Sequence, residues 1–310
     1  MNYKNLFTAI ALMAAVVPAF ADEPAAEESH WTKKGNASLQ FTQGFVSKNW
    51  YKGGESNFAL LATGDYDFNY KNAKWAWDNK LEAKLGFVTT PSDEYHSYMT
   101  NNDLLKWTSK LGYQASDHWY YTLQGIGQTQ FVSGYKTNTP GKMSKSFNPA
   151  YFNLALGMDY KKETEKAQFA CFLGPLAYNL KYVGDPLRGN ETNPTGEING
   201  ALYGLKFGDF STYDLGASAK ATLTYKVCKY VTWNSQATYF SPLYNCGDNY
   251  KGSGYTVVDW ENTFDMPLNK FFSTKVYTHL RFDDSVPAKF GDWGYFQFTE
   301  LLSFGISYNW

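Results

Sequence analysis

The sequence predicts an all-β chain: an antiparallel transmembrane β-barrel of about twelve strands, with short turns at one end and longer loops at the other. Three observations carry this. Tyr, Phe and Trp make up 19% of the 310 residues, yet mean hydropathy is negative. A wall with lipid on one face and a polar interior on the other needs both rings and polar groups in quantity. After the first segment, no apolar run approaches the roughly 20 residues of a membrane helix. A closed barrel is the other structure that pairs every backbone group inside hydrocarbon. Finally, residues 301–310 set Leu302, Phe304, Ile306, Tyr308 and Trp310 on one parity against Ser303, Gly305, Ser307 and Asn309 on the other. A period of two with large apolar residues opposite small polar ones describes a strand between two solvents.

The chain opens on a secretory pattern: Lys4 supplies the positive start, residues 6–17 the apolar core and Ala19-Phe20-Ala21 the small-x-small cleavage site. The expected organisation is a signal peptide over 1–21, an acidic tail over 22–34 with Asp22, Glu23, Glu27 and Glu28, and a barrel over 35–310. No cysteine follows the cleavage site, which argues against a lipid anchor.

Twelve strands follow in order. The first, about 35–46, sets Ala37, Leu39, Phe41 and Phe45 against Asn36, Ser38, Gln40 and Thr42. The second, about 56–70, opposes Phe58, Leu60, Tyr66, Phe68 and Tyr70 to Thr63, Asp65, Asp67 and Asn69. In the third, about 75–88, Trp75, Trp77, Leu81, Leu85 and Phe87 face one way and Asp78, Lys80, Glu82 and Lys84 the other. A helix would scatter these charges around its circumference. The fourth (104–115) opposes Leu105, Trp107, Leu111 and Tyr113 to Lys106 and Lys110; the fifth (119–133) opposes Trp119, Tyr121, Leu123 and Phe131 to Thr122, Gln124 and Gln128. The sixth (150–160) carries Phe152, Leu154, Leu156, Met158 and Tyr160 outward.

The seventh, about 166–182, changes parity. Phe169, Cys171 and Leu173 are followed by Leu176, Tyr178, Leu180 and Tyr182, with Gly174-Pro175 at the switch. A bulge there restores the outward face, and bulges are where strands tolerate proline. The eighth (213–228) opposes Leu215, Ala219, Leu223 and Tyr225 to Lys220, Thr222 and Lys226, and the ninth (229–240) uses Val231, Trp233, Ala237 and Tyr239. The tenth (255–266) opposes Val258, Trp260 and Phe264 to Asp259, Glu261 and Asp265. The eleventh (271–283) opposes Phe272, Val276, Leu280 and Phe282 to Lys275, His279 and Arg281, and the twelfth is about 297–310.

Connections near 71–74, 116–118, 161–165, 229 and 267–270 are short, whereas 47–55, 89–103, 134–149, 183–212, 241–254 and 284–296 are long. That alternation is expected of a bacterial barrel with both termini inside, short turns periplasmic and long loops outside. Aromatic girdles are expected at Trp75, Trp119, Tyr160, Phe272 and Trp310 on the periplasmic side, and at Trp107, Phe131, Phe152 and Trp260 on the other. In the longest loop, residues 201–207 are expected to add a short strand to a hairpin. Cys171, Cys228 and Cys246 fall on a lipid face, at a turn and in a loop. These places are too far apart for a disulfide, and the spacing supports no metal site. A soluble β-sandwich or lipocalin-like barrel is the alternative, but rings as large as those over 75–87 suit lipid better than a soluble core.

The ending resembles the C-terminal signal by which bacterial barrel proteins are recognised for insertion, alternating apolar positions closed by Phe or Trp. It implies the barrel-assembly machinery and outer-membrane lipid as partners, and an outer-membrane location. Asn49-Trp50-Tyr51-Lys52-Gly53-Gly54 and Trp75-Ala76-Trp77-Asp78-Asn79 resemble an uncharacterised family of Gram-negative outer-membrane β-barrels, classed as a domain of unknown function, with N-W-x-x-G-G and W-x-W-x-N motifs. The resemblance implies the fold and export but no substrate or catalytic residue. Physically, Gly53 and Gly54 permit positive φ in a tight loop, and Trp50 and Tyr51 suit a lipid interface.

Function is sought in the lumen. Inward parity places Asp65, Asp67, Asp78, Glu82, Asp159, Asp259, Glu261, Asp265 and Asp283 there against Lys80, Lys84, Lys106, Lys110, Lys220, Lys226, Lys275 and Arg281, nine acids against eight bases. Such a balance either lines a wet pore or pairs across a narrow one and blocks it. The expected function is a narrow or gated channel for small solutes; the alternative is an occluded structural or binding barrel acting through its outer loops. An outer-membrane lipid hydrolase is the enzymatic reading. It is disfavoured because His279, the one mid-strand histidine, points inward beside Lys275 and Arg281, away from any lipid-facing nucleophile. No cofactor, metal or nucleic-acid partner is expected.

Overall fold

The computed structural model describes residues 30–45, 47, 56–186, 188–190, 193–203, 205–245, 256–269, 272–283 and 296–309. The expected signal segment 1–21, the Asn49, Trp50, Gly53 and Gly54 motif, Cys246 and Trp310 lie outside them. In chain order the strands are β1 (Trp31–Gly44), β2 (Asn57–Asn72), β3 (Trp75–Thr89), β4 (Tyr98–Gln114), β5 (Trp119–Thr129), β6 (Gly134–Tyr135), β7 (Lys142–Ser144), β8 (Ala150–Glu163) and β9 (Ala167–Tyr182). They continue with β10 (Arg188–Asn190), β11 (Asn193–Thr195), β12 (Ser211–Cys228), β13 (Val231–Asn245), β14 (Val257–Pro267), β15 (Phe272–Asp283) and β16 (Phe296–Asn309). Twelve of them close one antiparallel barrel in sequence order, and β6-β7 and β10-β11 form hairpins in two long loops. The seam joins β1 to β16, Asn36 opposite Asn309 through Phe41 opposite Phe304.

Burial runs inside out. Along β5, Trp119, Tyr121 and Leu123 are exposed while Tyr120, Thr122 and Gln124 are buried. Trp77, Leu111, Leu123, Leu156 and Leu176 sit side by side across five strands, Cα partner to Cα partner, and all five are exposed. A soluble domain would bury that row, whereas in a membrane lipid covers it. The chain is therefore a transmembrane β-barrel. Polar residues on the same wall have a local reason: Ser109, Ser235 and Asn262 accept the indole N–H groups of Trp77, Trp260 and Trp233. Hydrocarbon offers those donors nothing else.

The parity switch in β9 is a bulge. Ala177 pairs with Gly216 and Gly174 with Ser218, so Pro175 and Leu176 lie opposite the single residue Ala217. Leu173 and Leu176 both face outward, while Phe172 and Ala177 are fully buried inside. Other expectations need correcting. β1 begins at Trp31, because Trp31 to Gly35 pair with Tyr66 to Tyr70 of β2. β4 starts at Tyr98 and β5 stops at Thr129, so Phe131 is a loop residue, not a girdle residue. It packs with Val132 and Tyr98 over Leu85 and Phe87, which alternation turns outward and the loop then covers. Asp103 holds that loop down, its carboxylate accepting the backbone N–H groups of Phe131 and Val132. The described residues of 201–207 form no strand: Gly200–Tyr203 is a 3-10 turn, and the hairpin is made by β10 and β11.

Loops at the long-loop end form a cap with its own apolar centre of Val183, Ile198 and Leu205. Lys145 bridges to Asp185 at 2.8 Å and to Glu197 at 3.2 Å, and Lys142 reaches Glu197 at 2.7 Å. The Lys142 and Lys145 ammonium groups hold the Glu197 carboxyl below its ordinary range, and Asp185, then Glu197, raise Lys145. The Asp93 carboxylate accepts the backbone N–H groups of Asn138, Tyr95 and His96, which keep it in its charged form.

Candidate functional site

Alternation along twelve strands leaves the lumen as the place where charged side chains meet. One chain of ion pairs runs across β2, β3 and β4. Lys80 lies 3.9 Å from Asp65 and 3.4 Å from Glu82, and Glu82 lies 3.7 Å from Lys106. A second chain crosses β4, β8 and β3: Lys110 is 3.2 Å from Asp159, Lys161 is 3.9 Å from Asp159, and Lys161 also pairs with Asp78. Asp78 and Lys161 belong to strands three places apart in the wall, so their contact spans part of the interior.

A third cluster lies on β14 and β15. Arg281 Nη1 donates to both oxygens of Asp259 at 2.9 and 2.7 Å, His279 Nε2 is 2.9 Å from Asp259 Oδ1, and Tyr277 Oη donates to Glu261 at 2.8 Å. Lys84 reaches from β3 to within 5.7 Å of the Tyr277 ring, four strands around the wall. Lys275 is close enough to Asp65 to act on its charge. Lys226 sits exposed near the short-turn end of β12, away from these clusters.

The interior is filled unevenly. Against β5, β8 and β9, Phe172, Asp159, Ala155, Ala177, Thr122 and Gln124 are all buried, and Lys110 lies 5.4 Å over the Phe172 ring. Tyr120 is buried beneath Lys161, whose Nζ is 5.2 Å from its ring. Toward β2 and β3, by contrast, the Lys80 and Asp65 side chains keep 43% and 35% of their accessibility. The most tightly filled sector lies against β5, β8 and β9, while Lys80 and Asp65 on β3 and β2 stay accessible.

Phe172, Tyr277 and Lys161 were not singled out from sequence. Strict counting from Cys171 and Leu173 places Phe172 inside, where a large ring is unexpected, and that mismatch was the available signal. By sequence Lys161 falls in the 161–165 turn, but β8 runs on to Glu163. The girdle positions Trp75, Trp119 and Phe272 are exposed at the short-turn end, where Tyr160 packs edge-on to Trp119 at 5.1 Å. Cys171 and Cys228 are free thiols. Among the described residues no group of three or more His, Cys, Asp or Glu is arranged to hold a metal.

Among solved structures, the chain is similar to the NanC porin, with a TM-score of 0.40 and 9% identity over 88% of this chain and 97% of that one. It is similar to an outer membrane channel from Pseudomonas putida F1, with a TM-score of 0.39 and 11% identity over 93% and 98%. The translocator domain of the autotransporter NalP from Neisseria meningitidis gives 0.35 and 10% over 99% and 98%. No curated protein matches the sequence. Residues 41–135, which run from β1 into β6 and include both the 49–54 and 75–79 motifs, match the model of a family described as a protein of unknown function, DUF3078.

Proposed function

We propose that this chain is an outer-membrane barrel that passes small polar solutes through a narrow route along one side of its lumen. The observation that carries the reading is the uneven filling: Phe172 and the Lys110–Asp159 pair fill the β5-β8-β9 sector, and the Lys80 and Asp65 side chains stay accessible on β3 and β2. Charged side chains that face one another across such a route replace part of a solute's hydration shell and restrict its size. Export through a cleaved signal at 1–21 and insertion aided by the terminal strand belong to the same reading, as does the absence of catalysis.

Liposome swelling with sugars of graded size tests it. Uptake is expected for the smallest sugars only, with small single-channel steps in planar bilayers. Large ohmic steps, or no permeation at all, would contradict it. A binding barrel acting through its loops is the second reading, favoured by the apolar centre and ion pairs of the cap.

A further inference from the structure

We infer that the lumen holds a binding site for a small anion, a carboxylate or phosphate group, between Lys106, Thr108 and Lys110 of β4 and Lys220 of β12. The inference deepens the pore reading and rests on it for its biological meaning, though not for its test. Each of the two ion-pair chains described above is neutral by itself. Asp65 and Glu82 balance Lys80 and Lys106, and Asp78 and Asp159 balance Lys110 and Lys161. Lys220 belongs to neither chain.

Among the described residues no carboxylate lies within ion-pair distance of Lys220, yet its ammonium is within electrostatic reach of Lys106, Lys110, Glu82 and Lys80. Backbone register explains the meeting: Lys220 pairs with Phe172, Phe172 pairs with Asp159, and Lys110 lies over the Phe172 ring. Lys110 thus stands over the residue that neighbours Lys220 in the wall.

Thr108 supplies an independent sign. It alternates inward between Lys106 and Lys110 and is 8% exposed, and its hydroxyl makes no hydrogen bond. A buried hydroxyl without a partner is costly, and so is a lysine confined beside other lysines. One bound anion relieves both, accepting from Thr108 Oγ1 and from the ammonium groups. Cations arranged with a hydroxyl donor around a partly desolvated space recognise oxyanions by charge-assisted hydrogen bonds.

The test uses the full mature barrel in detergent micelles and in planar bilayers. In micelles, inorganic phosphate is titrated by calorimetry and by phosphorus NMR line broadening. Saturable binding is expected for the natural protein, for Lys220→Arg and for Lys229→Gln in the β12-β13 turn. A tenfold or greater loss is expected for Lys220→Gln and Thr108→Val, with folding checked by heat-modifiable gel mobility. In bilayers under a salt gradient, the reversal potential is expected to favour anions and to move toward cations in Lys220→Glu. Phosphate binding unaffected by Lys220→Gln, or no saturable binding to the folded natural protein, overturns the site. Lys220-dependent binding without any conductance leaves the site standing and removes the pore.

Discussion

Asp159 shows how one residue can be decided by its surroundings. It is fully buried, yet it is ionisable, and it keeps company with Lys110 at 3.2 Å and Lys161 at 3.9 Å. Removing one member of a buried pair leaves the other charge uncompensated, which costs about 3–5 kcal/mol. Asp159→Ala is therefore expected to lower the unfolding free energy of the reconstituted barrel by that amount in urea titrations, with Lys110 left over Phe172 and without its acid. A loss below about 1 kcal/mol would show that the pair is solvated. The cap makes a different residue-scale prediction, because its charges are exposed. Glu197 is held below its ordinary pKa of 4.5 chiefly by hydrogen bonds from Lys142 and Lys145. Its contribution is present above that value and lost as pH falls through the lowered one. Lys145 is shifted up from 10.5, so its contribution is present below that value and fades only as pH rises past the raised one. The clasp should thus hold at neutral pH and loosen on the acid side, as pH falls below the ordinary carboxyl value of 4.5. Hydrogen-exchange protection, corrected for intrinsic rates, should fall there at the Ile198 and Leu205 amides, which bond to Asp185 and Gly200. Glu197→Gln should show the loss already at pH 7.

At the scale of the strand, the β9 bulge joins sequence to packing most directly. Opposite it, Gly157 approaches the backbone so closely that an added Cβ would lie 2.0 Å from the Leu173 carbonyl oxygen. No flexible side chain is there to yield. Gly157→Ala is expected to cost more than the 1–3 kcal/mol usual for overpacking, and to reduce the folded fraction seen by gel mobility. Pro175→Ala should be nearly neutral, since Pro175 is exposed within the bulge and serves no inner contact. The bulge was legible because Phe169, Cys171 and Leu173 precede Gly174-Pro175 and Leu176, Tyr178 and Leu180 follow it on the opposite parity. Strand ends were less legible. Trp31 to Lys34 carry two charges and read as tail, but pairing to β2 recruits them. Leu85 and Phe87 have outward parity like any lipid-facing residue, and nothing local announces that Phe131 and Val132 will fold over them. The same holds inside. Parity lists which charges face the lumen but not their partners, because Lys161 with Asp78 and Lys84 with Tyr277 meet only once the ring has closed.

For the whole molecule, the decisive question is which solvent wets the row of Trp77, Leu111, Leu123, Leu156 and Leu176. The interior cannot take these side chains, since Lys110, Asp159 and Phe172 already fill it on that side. A charge placed at mid-wall must then be drawn into hydrocarbon or must distort the bilayer. That costs about 2–4 kcal/mol for Arg at the midplane and about 0–1 kcal/mol near the interface. Leu156, 53% exposed in the middle of β8, samples the first situation; Leu268, 63% exposed in the β14-β15 turn, samples the second. Leu156→Arg should therefore destabilise the barrel in phospholipid vesicles by about 2–4 kcal/mol in guanidine unfolding, and Leu268→Arg by under about 1 kcal/mol. Both substitutions remove similar apolar area from a similarly exposed position, so the difference between them isolates depth in the membrane. Equal costs at the two positions would mean that water, not lipid, covers the row, and a barrel that inverts its burial as this one does could not then stay monodisperse without detergent.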